Sequence, residues 1–250
     1  MIDAVLSVCG DEKYFSMAKI SIPSFLRANP TCNLHVFTDR PSEIATDDYK
    51  LNVYNFAESI KNCDKLAVHK IITLSDPDFD NNKILHHHPY VALLPLIAQA
   101  VVGSDYILKI DVDAYFVGDM ISEVERIPSL PMMDLCLISR TDDSKMKLYG
   151  GAPGVGFLLW KRSGKFVETY VKEFAGYEQT DILGVRNKMN YGELTNENFH
   201  LTYPFYQARK LGEELTKKKM EKWIPFYAHV CGEEDFTQLE KLQKMKEWFK

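Results

Sequence analysis

An aspartate pair ends the apolar run Ile107-Leu108-Lys109-Ile110-Asp111-Val112-Asp113. On an extended segment, residues i and i+2 project to the same side. Asp111 and Asp113 so placed form a hard, oxygen-rich site suited to Mg²⁺ or Mn²⁺ carrying phosphates. Far downstream, His229 ends another apolar run, Phe226-Tyr227-Ala228-His229, just before Val230-Cys231-Gly232. A neutral imidazole suits Mn²⁺ better than Mg²⁺. His86, His87 and His88 also invite a metal reading. Consecutive side chains do not converge on one ion, so a solvated loop is expected there, with phosphate contact as a second role.

These groups need a scaffold, and the sequence spells out an α/β one. Residues 4–8 read as a buried first strand, followed by a turn at Cys9-Gly10-Asp11. Residues 17–28 read as a helix despite Pro23, 34–37 as a second strand and 51–54 as a weaker third. This strand–helix–strand rhythm predicts a mostly parallel sheet. The segment 76–83 is polar and turn-like. Pro89 opens a predicted helix that Gly103 stops. Residues 106–110 form the strand that carries the aspartate pair at its carboxyl end, the edge where open α/β sheets bind ligands. Residues 135–139 and 157–160 read as further strands, the latter after the glycine-rich Gly150-Gly151-Ala152-Pro153-Gly154-Val155-Gly156. Residues 163–174 read as an amphipathic helix and 184–204 as loop.

The chain has 250 residues, 46% of them hydrophobic, enough for one packed domain over 1–250. A formal net charge of −5 argues against broad attraction to nucleic acid. The five cysteines are odd in number and scattered, without a CxxC pair, which fits a reducing compartment rather than a disulfide framework or structural zinc. The start, Met1 to Leu6, lacks a basic region and soon meets Asp11, Glu12 and Lys13. A cytoplasmic protein is therefore expected. Residues 237–250 read as a C-terminal amphipathic helix, with Leu239, Leu242, Met245 and Phe249 in a stripe beside Lys241, Lys244, Lys246 and Lys250. Packing onto the domain is the expected role of that stripe, and peripheral membrane contact the alternative.

The ordered motifs resemble the GT-A-fold glycosyltransferases, and within them the retaining glycosyltransferase family 8, of the glycogenin and lipopolysaccharide galactosyltransferase type. The resemblance runs from residue 3 to about 236. Val8 to Tyr14, then Ser21-Ile22 and Asn29-Pro30, look like the first strand, nucleotide loop and first helix. Asp111-Val112-Asp113 matches the family's DxD, and Gly154-Val155-Gly156-Phe157 its sugar-lining segment. Gln179-Thr180-Asp181-Ile182-Leu183 is similar to its Asp-Gln-Asp-Ile-Leu motif, and His229-Val230-Cys231-Gly232 to its HxxG metal motif.

The resemblance implies a Rossmann-like mixed, mostly parallel sheet flanked by helices. It implies Mn²⁺ (or Mg²⁺) held by Asp111, Asp113 and His229, and a UDP-sugar donor. Cys9, Asp11, Tyr14, Asp111, Val112, Gly154 and Gly232 would line the donor, with Asp11 at the uracil edge and Tyr14 on base or ribose. Asp181, with Thr180 or Gln179, would stand at the reacting sugar. The implied reaction is hexose transfer, with retention, to a hydroxyl of a glycan, lipid-linked sugar or protein.

The chain departs from the family where Asp235 replaces a diphosphate-binding lysine. It also departs where Leu93 and Leu94 replace a cation in the helix before DxD, where Gly154 replaces asparagine, and where Thr180 replaces glutamine. Lys109 or the His86–His88 cluster would then supply the missing cations. Two rival readings exist: a non-catalytic nucleotide-sugar-binding module, and a phosphatase of the haloacid dehalogenase type. The mid-chain position of the triplet and Tyr115 two residues beyond it weigh against the phosphatase.

Overall fold

The computed structural model describes residues 1–44, 48–75, 87–138, 154–176, 182, 184–194, 200–201, 227–229 and 237–249. At 87–88, 138, 154–156, 193–194, 200–201 and 227–229 it describes the backbone alone. A seven-stranded sheet forms the centre. Its strands are β1 (Ile2–Val8), β2 (Leu34–Thr38), β3 (Leu51–Asn55), β4 (Tyr106–Ile110), β6 (Leu135–Ile138), β7 (Gly154–Lys161) and β8 (Tyr191–Leu194). They run in the order β3-β2-β1-β4-β7-β6-β8. Only β7 runs against its neighbours β4 and β6; the other pairings are parallel. A second sheet joins β5 (Ala114–Phe116), β10 (Tyr227–His229) and β9 (His200–Leu201).

Helices cover both faces. On one side lie α1 (Glu12–Ala28), α2 (Pro41–Ile44), α6 (Met120–Glu125) and α8 (Gln238–Trp248). Their buried residues join Ala4, Leu6, Leu108 and Ile110 of the sheet in one core. On the other side lie α3 (Phe56–Ile60), α4 (Lys65–Ser75), α5 (His87–Val101) and α7 (Phe166–Glu173). They pack with Val5, Ile107, Leu158 and Trp160 in a second core. Alternate residues of β1 and β4 thus feed opposite cores, as the period of a strand requires.

Several expectations shift. The first helix begins at Glu12, five residues earlier than its apolar periodicity suggests, because Asp11 already occupies the N-cap. Pro23 sits inside this helix on its exposed side. His87 and His88 belong by backbone to α5 rather than to a loop; His86 and the 76–83 segment lie outside the described residues. The region read as loop, 184–204, supplies β8 at the sheet edge and β9 in the small sheet. Strands β5 and β10 carry no alternation long enough to announce them.

The C-terminal helix is held inside the fold. Thr237 and Glu240 form a reciprocal capping box at its start. Leu242 and Met245 are fully buried against α1 and β5, and the Phe249 ring stacks on Tyr115 at 6.3 Å. The centre of the apolar stripe therefore packs onto the domain, with Leu239 and Phe249 half-buried beside it. Leu242→Ala should cost about 2–5 kcal/mol of stability through loss of buried surface and a residual cavity. Chemical denaturation checks this; an unchanged midpoint would mean that the helix does not pack as described.

Candidate active site at the carboxyl edge of the sheet

From β1 the chain steps outward to β2 and β3, then returns to the other side of β1 as β4. This reversal opens a crevice beyond the carboxyl ends of β1 and β4. Val5 pairs with Lys109, so the turn after β1 and the aspartates after β4 come to the same edge. Because β7 is antiparallel to β4, with Ile110 opposite Phe157, its initial glycines arrive there too. The topology thus gathers Cys9-Gly10-Asp11, Asp111-Val112-Asp113 and Gly154 from three distant stretches of sequence.

The turn after β1 depends on Gly10, whose φ of +82° suits a residue without Cβ. The Gly10 amide donates to Asp39 Oδ2 at 3.1 Å. The Arg40 guanidinium donates to the Gly10 carbonyl and to Glu12 and Glu43, and lies over the Phe15 ring. Asp39 and Arg40 thus fix the loop from the end of β2, a role that sequence reasoning did not assign to them. Asp11 occupies the N-cap of α1 at this edge, yet its side chain makes no capping bond and is exposed. Tyr14 follows one turn later, partly exposed, with Lys13 Nζ 4.8 Å from its ring centroid.

Cys9 and Val112 sit differently from their neighbours. Both side chains are buried, Cys9 in the α5-side core and Val112 in the α1-side core. Only their backbones can meet a ligand. The Cys9 Sγ lies 3.6 Å from the Phe37 carbonyl, and burial, with the Asp39 carboxylate adding to it, pushes the thiol up to about 12.

The aspartate pair is not on an extended segment. Asp111, Val112 and Asp113 form the turn between β4 and β5, so strand alternation does not align the two carboxylates. Each is instead held by its own donor. Lys109 Nζ lies 3.1 Å from Asp111 Oδ1, and Gln238 Nε2 donates to Asp113 Oδ2 at 2.7 Å. Gln238 opens α8, so the C-terminal helix reaches the site directly. No local pattern could have revealed Gln238, which is 125 residues from its partner. Lys109 did carry a signal: a charged residue in an apolar strand with an acid at i+2.

His229 arrives through the small sheet. Strand β10 runs antiparallel to β5 with Tyr227 opposite Phe116, Ala228 opposite Tyr115 and His229 opposite Ala114. The His229 backbone therefore lies beside the residue that follows Asp113. Two carboxylates and an adjacent imidazole-bearing position offer oxygen and nitrogen donor types that would suit Mn²⁺ or Mg²⁺. Among the described side chains no three His, Cys, Asp or Glu converge in a metal geometry; the His229 side chain is not among them. Gln179, Thr180, Asp181 and Gly232 lie outside the described residues, although Ile182, next to Asp181, is buried in the α5-side core. Among the described residues no helix is long and apolar enough to cross a membrane.

No protein-family model matches the chain. A comparison with curated proteins finds no match either. Solved structures do match in shape. The glycosyltransferase GlyE of Streptococcus pneumoniae TIGR4 superposes with a TM-score of 0.60 at 14% identity, over 98% of this chain and 60% of GlyE. The galactosyltransferase LgtC, solved with donor and acceptor sugar analogs, gives 0.58 at 14%, over 99% of this chain and 95% of LgtC. Mouse xyloside xylosyltransferase 1 gives 0.56 at 10%, over 92% and 97%. The chain thus spans nearly all of LgtC but under two thirds of GlyE. Its fold is the GT-A glycosyltransferase fold: a mixed, mostly parallel central sheet between helices, with a small second sheet beside it.

The thiol of Cys9 provides a direct check on this edge of the sheet, with Cys32 before β2 as a buried reference. Cys32, like Cys9, is buried with its thiol pushed up by desolvation. Thiolate is the reactive form. At pH 8 the native protein should leave Cys9 and Cys32 unmodified by an aromatic disulfide reagent, while denatured protein reacts at both. Peptide mapping reads the result; rapid native labelling of Cys9 would place its sulfur in the crevice instead of the core.

Proposed function

We propose that this chain is a metal-dependent glycosyltransferase that moves a hexose from a UDP-sugar to an acceptor hydroxyl with retention of configuration. The observation that carries the reading is the β5–β10 pairing, which sets His229 opposite Ala114 and beside Asp113 at the ligand-binding edge of a GT-A sheet. The family 8 resemblance of the motifs supports the same donor class. Fold alone would not, since one fold hosts many activities.

In this reading Asp111, Asp113 and His229 hold Mn²⁺ or Mg²⁺. When bound, the metal supplies positive charge to the diphosphate that leaves the sugar. Lys109 and Gln238 hold the two carboxylates before donor arrives, which limits reorganisation on binding. Asp11, exposed, and Tyr14, half-buried, at the start of α1 bind the uridine. The backbones of Cys9, Val112, Gly154 and Gly232 line the diphosphate and sugar. Asp181, with Thr180 or Gln179, orients the sugar, and its carboxylate stabilises positive charge developing at the anomeric carbon. The bond from that carbon to the diphosphate oxygen breaks, one to the acceptor oxygen forms, and the acceptor's hydroxyl proton leaves with the departing diphosphate. The acceptor is a glycan, a lipid-linked sugar or a protein hydroxyl, and the reaction belongs in the cytoplasm.

One observation favours a second reading, a nucleotide-sugar-binding module without turnover. Leu93 and Leu94 are buried core residues of α5, so that stretch of helix offers no cation to a diphosphate. A panel of nucleotide-sugars tested for Mn²⁺-dependent hydrolysis separates the two, because release of UDP needs no known acceptor. Transfer predicts UDP release from one donor, reduced at least about 100-fold in both Asp111→Asn and His229→Ala. UDP binding with no release from any donor, across a panel of acceptors as well, would establish the binding module.

A further inference from the structure

A second cleft, of about 490 Å³, opens at the opposite edge of the sheet, where β4 begins and β7 ends. Gln99 of α5, residues 103–106 and residues 161–163 line it. The whole length of β4 separates it from the aspartate turn. Hydrogen bonds tie its walls together. The Arg162 amide donates to the Asp105 carbonyl at 2.8 Å, and Gln99 Nε2 donates to the Arg162 carbonyl at 2.6 Å. Gln99 Oε1 accepts from the indole of buried Trp160 at 3.2 Å. The backbone of Arg162 is thus fixed, while its guanidinium is exposed and donates to no acceptor among the described residues.

Unused donors outnumber unused acceptors in this lining. Helix α5 ends at Val101, and the turn after it carries three consecutive amides, of Gly103, Ser104 and Asp105, that donate to no acceptor among the described residues. Ser104 is only 2% exposed, and its hydroxyl donates to the Tyr106 carbonyl. Amides without acceptors are costly where water is scarce. The Ser163 hydroxyl also lacks a partner among the described residues, and Lys161 uses one of its three N–H groups on the Pro131 carbonyl. Asp105, the acid of the lining, has its Oδ2 3.2 Å from the N-terminal ammonium.

We propose that this cleft is a second ligand site, which binds a phosphate group through the amides of residues 103–105 and the guanidinium of Arg162. Successive unpaired amides in a turn form a concavity suited to an anion. A guanidinium adds a planar fork that matches two phosphate oxygens. A doubly ionised phosphomonoester presents acceptors alone, which complements a lining rich in unused donors. A neutral polyol would need acceptors as well, and the Gln99 oxygen is already engaged. The phosphate is carried by a soluble sugar phosphate or by a lipid headgroup, since both present the same oxygens. The site does not depend on the metal or nucleotide-sugar reading of the other edge.

Inorganic phosphate titrated into the full chain, with amide chemical shifts as the readout and ionic strength held constant with chloride, tests this without metal or nucleotide. Saturable shifts are expected at Gly103, Ser104 and Asp105. Arg162→Ala should raise the half-saturating concentration at least about tenfold, the scale of a lost hydrogen bond to a charged group. The structural bonds of Arg162 are made by its backbone, so the variant should fold; circular dichroism checks this, and Arg162→Gln serves if it does not. Glucose 1-phosphate in the same titration and sedimentation with phosphatidylcholine vesicles containing phosphatidic acid separate the sources. Tighter binding of the hexose phosphate than of inorganic phosphate assigns a soluble ligand. Sedimentation that requires phosphatidic acid and is lost in Arg162→Ala assigns a headgroup. The proposal is overturned if no probe gives a saturable response at residues 103–105, if the shifts are confined to the Gly10 turn at the other edge, or if a folded Arg162 variant binds phosphate as tightly as wild type.

Discussion

Three backbone pairings, Phe116 with Tyr227, Tyr115 with Ala228 and Ala114 with His229, close the late part of the chain onto the end of the central strand. The rest of the site depends on this short antiparallel contact. Strand β5 begins directly after the aspartate turn, so a partner bound to β5 is delivered to Asp113 by geometry alone. Helix α8 reinforces the closure: its Gln238 holds Asp113, while Leu242 and Met245 bury themselves against α1 and β5. The scaffold that carries uridine-binding candidates, the first strand and helix, is thereby tied to the scaffold that carries the candidate metal ligands.

Charge organises the remainder. Two carboxylates close together at one strand end repel each other, and each gains from a donor of its own. The fold supplies a donor to each from opposite faces of the sheet, Lys109 from the α5 side and Gln238 from the α8 side. A comparable arrangement holds the first loop, where Asp39 and Arg40 from β2 grip the amide and carbonyl of Gly10. In both places the ligand-facing residue is adjacent to a residue committed to support. Val112 between Asp111 and Asp113, and Cys9 two residues before Asp11, show a similar division, with one side chain in the core and a nearby one outside it.

Much of this was legible in the sequence, and the exceptions have physical causes. Strand β4 is legible to the residue, because a largely apolar run between Gly103-Ser104-Asp105 and Asp111, interrupted by Lys109, leaves little freedom in its ends. The sheet class followed from the strand–helix rhythm. The start of α1 was misjudged because its first turn is polar, so hydrophobic period appears only after it. Strand β5 spans three residues, too few for any period, and β8 pairs only along one edge within a stretch otherwise rich in polar residues. The aspartate triplet was expected to be extended because it prolongs a strand, yet the chain must turn there to enter β5. The grip of Gln238 on Asp113 and of Arg40 on Gly10 are contacts between distant segments, which one-dimensional spacing does not encode.

The central claim is that His229 and the aspartate turn form one metal site for a nucleoside diphosphate. Electron spin-echo modulation of Mn²⁺ bound together with UDP tests it most directly, because nitrogen and phosphorus neighbours of the ion each leave their own frequency. Coupling to one imidazole nitrogen and to diphosphate phosphorus is expected, with the nitrogen coupling lost in His229→Ala and the bound ion lost in Asp111→Asn. An ion that binds with UDP but shows no nitrogen coupling, or keeps that coupling when His229 is replaced, would contradict it.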